Sequence, residues 1–256
     1  MKLKYQIDLP LDSPERTVHH GELIRSKKIL RKLYHQWNAE YVSEIAFAPE
    51  GLLVELGSGG GALKEMEPRI ITTDYLDLPT NDMTFSALEM PFADQSVAAI
   101  FMTDTMHHLP DAGLFLEEVD RVLMDHGKLM MIEPANSTWG RFIYQHFHHE
   151  PFEPSKGWTI PVTGPLSGAN GAIPWIVFVR DFAIFHARFP NLKIELIEYR
   201  NPLMYLLSGG VSYRQLLPDF AYGFVNFWDR ILPRISKELS MFMMVKITRC
   251  VSPHNP

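Results

Sequence analysis

Three stretches of this 256-residue chain carry side chains or bare backbone able to do chemistry. The first is "HHLPD", with adjacent histidines His107 and His108. A histidine titrates near neutral pH and can take a proton from a phenol or hydroxyl; the same pair can equally bond its own loop while Asp111 caps a following helix. The second, "YQHFHHEPFEP" at residues 144–154, sets His146 four positions before Glu150 and three before His149. On one helix these three share a face, and histidine with carboxylate is an ordinary zinc or iron ligand set. No supporting shell is legible around them, so no metal is expected; a place in a substrate pocket fits better, and the plainest reading leaves several of them as surface or core-satisfied side chains. The third, "LLVELGSGGGALKEM" at 52–66, puts four glycines into positions 57–61 behind an apolar run. Such a loop lets main-chain N–H groups approach a ligand closely.

Gly57-x-Gly59-x-x-Ala62 followed by Asp74 also meets a permissive dinucleotide fingerprint, which makes an NAD-dependent oxidoreductase the rival reading. Glu55 ahead of the loop, the extra Gly60 and Gly61, and a following helix over Ala62–Met66 cut short by Pro68 all weigh against it. No Gly-Lys-Ser/Thr follows, so a P-loop is excluded.

The elements around these stretches alternate. Residues 15–48 have helical periodicity and form an N-terminal helical cover ended by Pro49-Glu50-Gly51. Apolar strands are expected at Leu52–Leu56, Ile70–Thr73, Thr84–Ala87, Val97–Met102, Lys128–Ile132, Leu192–Tyr199 and Met241–Arg249, with helices at Ala112–Leu123 and Val177–Phe189. Nearly unbroken apolar strands alternating with helices imply an α/β fold: a doubly wound, seven-stranded, mostly parallel sheet. One domain over 1–256 is expected, with cover 1–50, core 51–134, an irregular cap 135–176, and a C-terminal half 177–256 that carries an aromatic insertion at 200–240.

Composition narrows the partners. A balance of 24 basic and 30 acidic residues, net −6, gives no basic run suited to nucleic acid. The lone Cys250 excludes an internal disulfide framework and suits a reducing, cytoplasmic setting. No secretory leader and no transmembrane segment is legible. The apolar residues of 200–240 are expected mainly as lid and core; a peripheral membrane contact is the alternative, disfavoured by the few accompanying basic residues. No oligomeric state is implied.

Taken together, "VELGSGGG", "IITTDYL", "ALEMPFADQSVAAIFMTDTMHHLPD" and "RVLMDHGKLMMIEP" resemble, in order, the motifs of the class I S-adenosylmethionine-dependent methyltransferases. The resemblance is continuous over 50–134 and extends more weakly to 17–50 and 177–250. It is to a subgroup that includes quinone C-methyltransferases and many small-molecule O-methyltransferases. The resemblance implies a Rossmann-like methyltransferase fold and S-adenosylmethionine as cofactor. It implies that Glu55, Gly57, Ser58, Gly59 and Gly61 line the methionine part and that Asp74 takes the ribose hydroxyls. Ser86, Ala87 and Leu88 stand where many relatives contact adenine with an aspartate, and Thr103 falls beside the methionine moiety. The expected activity is methyl transfer to a small or lipid-linked, partly apolar acceptor, with oxygen preferred over carbon and His107 or His108 as base.

Overall fold

Strands that are apolar on both faces are satisfied only between two helical layers, and that is where the chain puts them. The computed structural model describes residue 5 and residues 7–250 and centres on a seven-stranded sheet. Its strands are β1 (Leu52–Leu56), β2 (Ile70–Asp74), β3 (Met83–Thr84), β4 (Val97–Thr103), β5 (Leu123–Pro134), β6 (Leu192–Arg200) and β7 (Phe242–Arg249). They lie in the order β3-β2-β1-β4-β5-β7-β6. Every pair from β3 across to β5 is parallel, whereas β7 runs antiparallel to both β5 and β6. The chain winds outward from β1 to β3, then returns to β4 on the other side of β1. Strand order therefore reverses between β1 and β4, and the carboxyl ends of the strands diverge there into a crevice.

The N-terminal cover is two helices, α1 (Pro14–Ser26) and α2 (Lys28–Ile45), broken at Lys27. Ser13 starts α1 by accepting the Arg16 N–H at 3.2 Å. Ile29, Leu33, Trp37 and Tyr41, each four apart, form the buried stripe of α2. The Tyr41 hydroxyl donates to the Met102 carbonyl at 2.5 Å and lies 3.2 Å from the Thr103 hydroxyl. That pair of contacts fixes the cover over the end of β4 and makes it a wall of the crevice.

Helix α3 (Ala112–Val122) begins at Asp111, whose carboxylate accepts from the Gly113 and Leu114 N–H groups at 2.7 and 3.0 Å, as the cap reading expected. Three segments depart from expectation. Residues 62–66 form turns and no helix, because one turn between Gly61 and Pro68 is too short to nucleate and the proline disfavours helical backbone at Glu67. Strand β3 is only two residues long; the Ser86 hydroxyl accepts the Leu88 N–H at 3.2 Å and turns the chain away from the sheet. The helix expected over 177–189 starts at Ile173 as α5 (Ile173–Trp175), passes through a π turn at Ile176–Arg180, and continues as α6 (Phe182–Arg188).

The cap contributes α4 (Thr138–Phe147), and the insertion contributes α7 (Met204–Ser208) and α8 (Tyr222–Ile235). Helix α8 corrects the lid-and-core expectation. Its inner face is anchored by Asp229, buried, which accepts from the Leu203 and Met204 N–H groups at 2.7 and 2.9 Å. Val225 is buried beside it, but Phe220 just before the helix and Phe224 and Phe227 on it are 90, 70 and 58% exposed. No helix among the described residues is long and apolar enough to cross a membrane.

Candidate functional site

The glycine loop leaves β1 with left-handed backbone at Gly57 and Gly59, φ +67° and +48°. A Cβ on Gly59 would meet nothing closer than Thr17 at 3.7 Å, so its bareness serves backbone conformation and an open groove. Gly60 is bare for another reason: its Cβ would sit 2.9 Å from the Cα of Gly21, where α1 crosses the loop. Asp74, at the tip of β2, accepts the Gly59 N–H at 3.2 Å and the Leu76 N–H at 3.1 Å. Burial raises its pKa, and with Ser86, Ala87 and Thr103 it lines a cavity of about 440 Å³.

Glu55 points up from β1 beneath the loop. It is buried, its Oε2 has no partner, and burial together with the charge of Asp74 pushes its pKa up to about 8. An orphaned carboxyl under an open main-chain loop fits a cationic ligand group. S-adenosylmethionine carries an ammonium that Glu55 would hold and a ribose diol that Asp74 would take, with the adenine against Ser86 and Ala87. A pyrophosphate fits poorly, since it would face these two carboxyls with no helix N-terminus behind the loop. Ser58 lines the adjoining cavity with Glu55, Gly57 and Gly59, while its hydroxyl is engaged inside the fold, donating to the Glu55 carbonyl at 3.0 Å and accepting the Thr73 N–H at 2.9 Å. Leu88 packs against the core and is absent from the cavity lining.

A second cavity of about 220 Å³ adjoins the first through Gly57, Thr103 and Asp104. Its walls include Tyr34, Tyr144, Phe152, Tyr205 and Phe242, with Tyr144 and Phe152 stacked at 5.2 Å. His107 and His108 reach it on a single 3₁₀ turn, Met106–His108. Glu133, fully buried near the end of β5, positions that turn: one oxygen accepts the Thr105 and Met106 N–H groups at 2.9 and 2.6 Å, and the other accepts His107 Nδ1–H at 2.6 Å. Nε2 of His107 lies 3.3 Å from Glu150. Burial opposes charge on this ring, but Glu133 and Glu150 outweigh it and raise its pKa well above the ordinary value. His108 behaves oppositely. Burial and the neighbouring His107 charge lower it to about 4, and its Nδ1–H donates to the Gly168 carbonyl at 3.0 Å. The Nε2 lone pair of His108 is thereby turned toward Glu150 at 3.7 Å. Burial alone would raise Glu150; the His107 hydrogen bond and the surrounding histidines hold it well below the usual carboxylate range.

The helical trio of His146, His149 and Glu150 does not form. Helix α4 ends at Phe147, so His146 stays on its exposed side with Nδ1 2.8 Å from the Phe142 carbonyl. Past that end, His148 and His149 fold back to 3.5 and 3.6 Å from Glu150. Sequence reasoning missed Glu133, although a carboxylate closing the apolar run "LMMIEP" is a signal. It also missed Asp104, a left-handed residue (φ +51°) lining both cavities, whose pKa burial raises to about 8 against the opposing His107 charge.

Residues 54–131 match a methyltransferase domain family model. The chain is 27% identical over 119 residues to a demethylmenaquinone methyltransferase of Symbiobacterium thermophilum, a match covering 46% of this chain and 47% of that protein. The match thus spans about half the length of that curated relative. Among solved structures it resembles geranyl diphosphate C-methyltransferase from Streptomyces coelicolor A3(2), crystallised with Mg²⁺, geranyl diphosphate and S-adenosyl-L-homocysteine. There the TM-score is 0.54 at 16% identity, over 97% of this chain and 90% of that one. A geranyl diphosphate methyltransferase in complex with S-adenosylmethionine gives a TM-score of 0.52 at 15% identity, over 87% of this chain and 89% of that one. At these identities the structural likeness establishes the fold.

Proposed function

We propose that this chain is a class I S-adenosylmethionine-dependent methyltransferase and that it methylates an oxygen of a partly apolar, small or lipid-linked acceptor. The observation that carries the reading is the buried Glu55 carboxyl, whose Oε2 is left without a partner beneath the open glycine loop, beside Asp74 at the tip of the next strand. When bound, the cofactor supplies a methyl group on a sulfonium centre that is displaced in line by a nucleophile. The chain's own work is alignment and exclusion of water. Glu55 would hold the ammonium end of the cofactor and Asp74 its ribose hydroxyls, the backbone at Gly57 and Gly59 lets it lie close, and Thr103 stands at the junction of the two cavities. The acceptor enters the aromatic cavity and presents its nucleophilic oxygen to His107, His108 and Glu150.

Tyrosine and phenylalanine walls favour an acceptor with an apolar body and one polar end. The outward stripe of Phe220, Phe224 and Phe227, flanked by exposed Arg230, Arg234 and Lys237, supports collection of a lipid-linked acceptor from an anionic membrane surface. The second reading is C-methylation of quinone type, favoured by the likeness to the demethylmenaquinone enzyme.

Calorimetric titration with S-adenosylhomocysteine tests the cofactor reading. Wild-type protein is expected to bind it at micromolar concentration, and Asp74→Ala to lose about 100- to 10,000-fold, as two hydrogen bonds to a charged group at about 1.5–3 kcal/mol each imply. Gly59→Arg, which fills the groove, is expected to bind none. Undiminished affinity in both variants, or binding of NADH alone, sinks the reading. Carbon-13 NMR of the product made from labelled cofactor separates oxygen from carbon as the target.

A further inference from the structure

We infer that His107, His108 and Glu150 form a binding site for a divalent first-row transition-metal ion of the zinc type, on the wall of the acceptor cavity. Nε2 of His107 lies 3.3 Å from one Glu150 oxygen and Nε2 of His108 lies 3.7 Å from the other. The three ligand atoms are all within 4.8 Å of one another. Tetrahedral zinc with bonds of about 2.0–2.1 Å sets its ligand atoms about 3.3 Å apart, so closing this set around an ion takes shifts of a few tenths of an ångström to about 1 Å.

Convergence of three polar atoms is weak grounds alone. The stronger observation is that both rings are held by their other nitrogen. His107 Nδ1–H is fixed by the buried Glu133 carboxylate at 2.6 Å, and His108 Nδ1–H by the Gly168 carbonyl at 3.0 Å. A ligating histidine is oriented in this way, by a carboxylate or a backbone carbonyl that sets the tautomer and turns the second nitrogen to the ion. Glu133 is itself locked by two main-chain N–H groups, which makes the support rigid. Gly168 and Glu150 both come from the cap, so the site closes only when the cap is folded over β4 and β5.

Two imidazoles select against magnesium and calcium, which take oxygen, and favour zinc or ferrous iron. His148 and His149 stand around the same carboxylate and form a second grouping with it. The remaining position faces the aromatic cavity. On the methyltransferase reading, the ligand that fills it is an anionic oxygen of the acceptor, such as a phenolate or enolate, held beside the methyl donor.

The test uses untagged, full-length protein stripped with a chelator and titrated anaerobically with Co²⁺. One equivalent per chain is expected, with the intense visible absorption of four- or five-coordinate cobalt. His107→Ala, His108→Ala and Glu150→Gln are each expected to abolish that absorption. Glu133→Gln is expected to keep the stoichiometry while weakening affinity by about 10- to 100-fold, the usual effect of losing an outer partner. Absence of cobalt absorption in the wild type, or its persistence in both histidine variants, overturns the site. S-adenosylhomocysteine titration of the same samples keeps the two readings apart: its failure in the wild type sinks the methyltransferase reading and leaves the metal result standing.

Discussion

The two halves of the crevice are built by different means. The half proposed for the cofactor takes its polar contacts from residues 55–104, and they are largely main chain, a left-handed loop, a strand tip and one N–H to carboxylate bond, although cap residues such as Pro161 and Leu166 also wall its cavity. The acceptor half draws His107 and His108 from one turn, Glu133 from β5, Glu150 and Gly168 from the cap, and Tyr205 from α7, and its contacts are between side chains. The first half is set by local backbone geometry. The second exists only when distant segments have docked, so it is the half whose parts support one another energetically.

Glu133→Ala is the strongest way to break that contrast. It leaves His107 buried with one carboxylate removed and strips two N–H groups of their acceptor, so a loss of about 3–5 kcal/mol is expected in denaturant unfolding. If the halves are independent, the affinity for S-adenosylhomocysteine of the fraction that remains folded stays near wild type. An affinity that falls in step with stability refutes the independence.

Glu55 sharpens the cofactor side through pH. Its pKa in the folded, cofactor-free protein is about 8, above the 4.5 of an ordinary glutamate. The stabilisation it contributes is therefore fully present below pH 4.5 and is lost as the pH rises through about 8. Binding a cationic ammonium favours the ionised form, so cofactor affinity is expected to rise with pH up to about 8 and then level off. Glu55→Gln should raise the unfolding temperature of the free protein at pH 9, flatten the pH profile of binding, and weaken affinity by about tenfold, the loss of one hydrogen bond to a charged group. A binding profile that keeps its slope in the glutamine variant shows that another group carries it.

The smallest effect is expected on α8. Phe224→Ser with Phe227→Ser removes exposed rings, so unfolding should shift by no more than about 0.5 kcal/mol per site. Sedimentation with anionic phospholipid vesicles should fall. Vesicle binding equal to wild type removes the membrane-surface role from this helix.

Legibility in the sequence follows the same division. Asp111 as a helix cap, every strand but the short β3, and Asp74 at a strand tip were readable, because each depends on residues a few positions apart. The helix after the glycine loop was misread because a periodic segment of five residues says nothing about nucleation. The His146 trio was misread because helical spacing was applied across the point where α4 ends. The α8 face was misread because apolar residues were assumed to turn inward, whereas Asp229 has two main-chain donors and a buried place, and turns the rings out.

By itself the sequence determined the mostly parallel sheet and the bare loop with its carboxylates, since alternating apolar runs and glycine spacing act over short stretches of chain. Tertiary structure alone decided that Glu133 and Glu150 flank one histidine, that a cap carbonyl orients the other, and which way α8 faces. Those outcomes depend on loop closure over dozens of residues, and burial gives each polar group only the partners that closure brings.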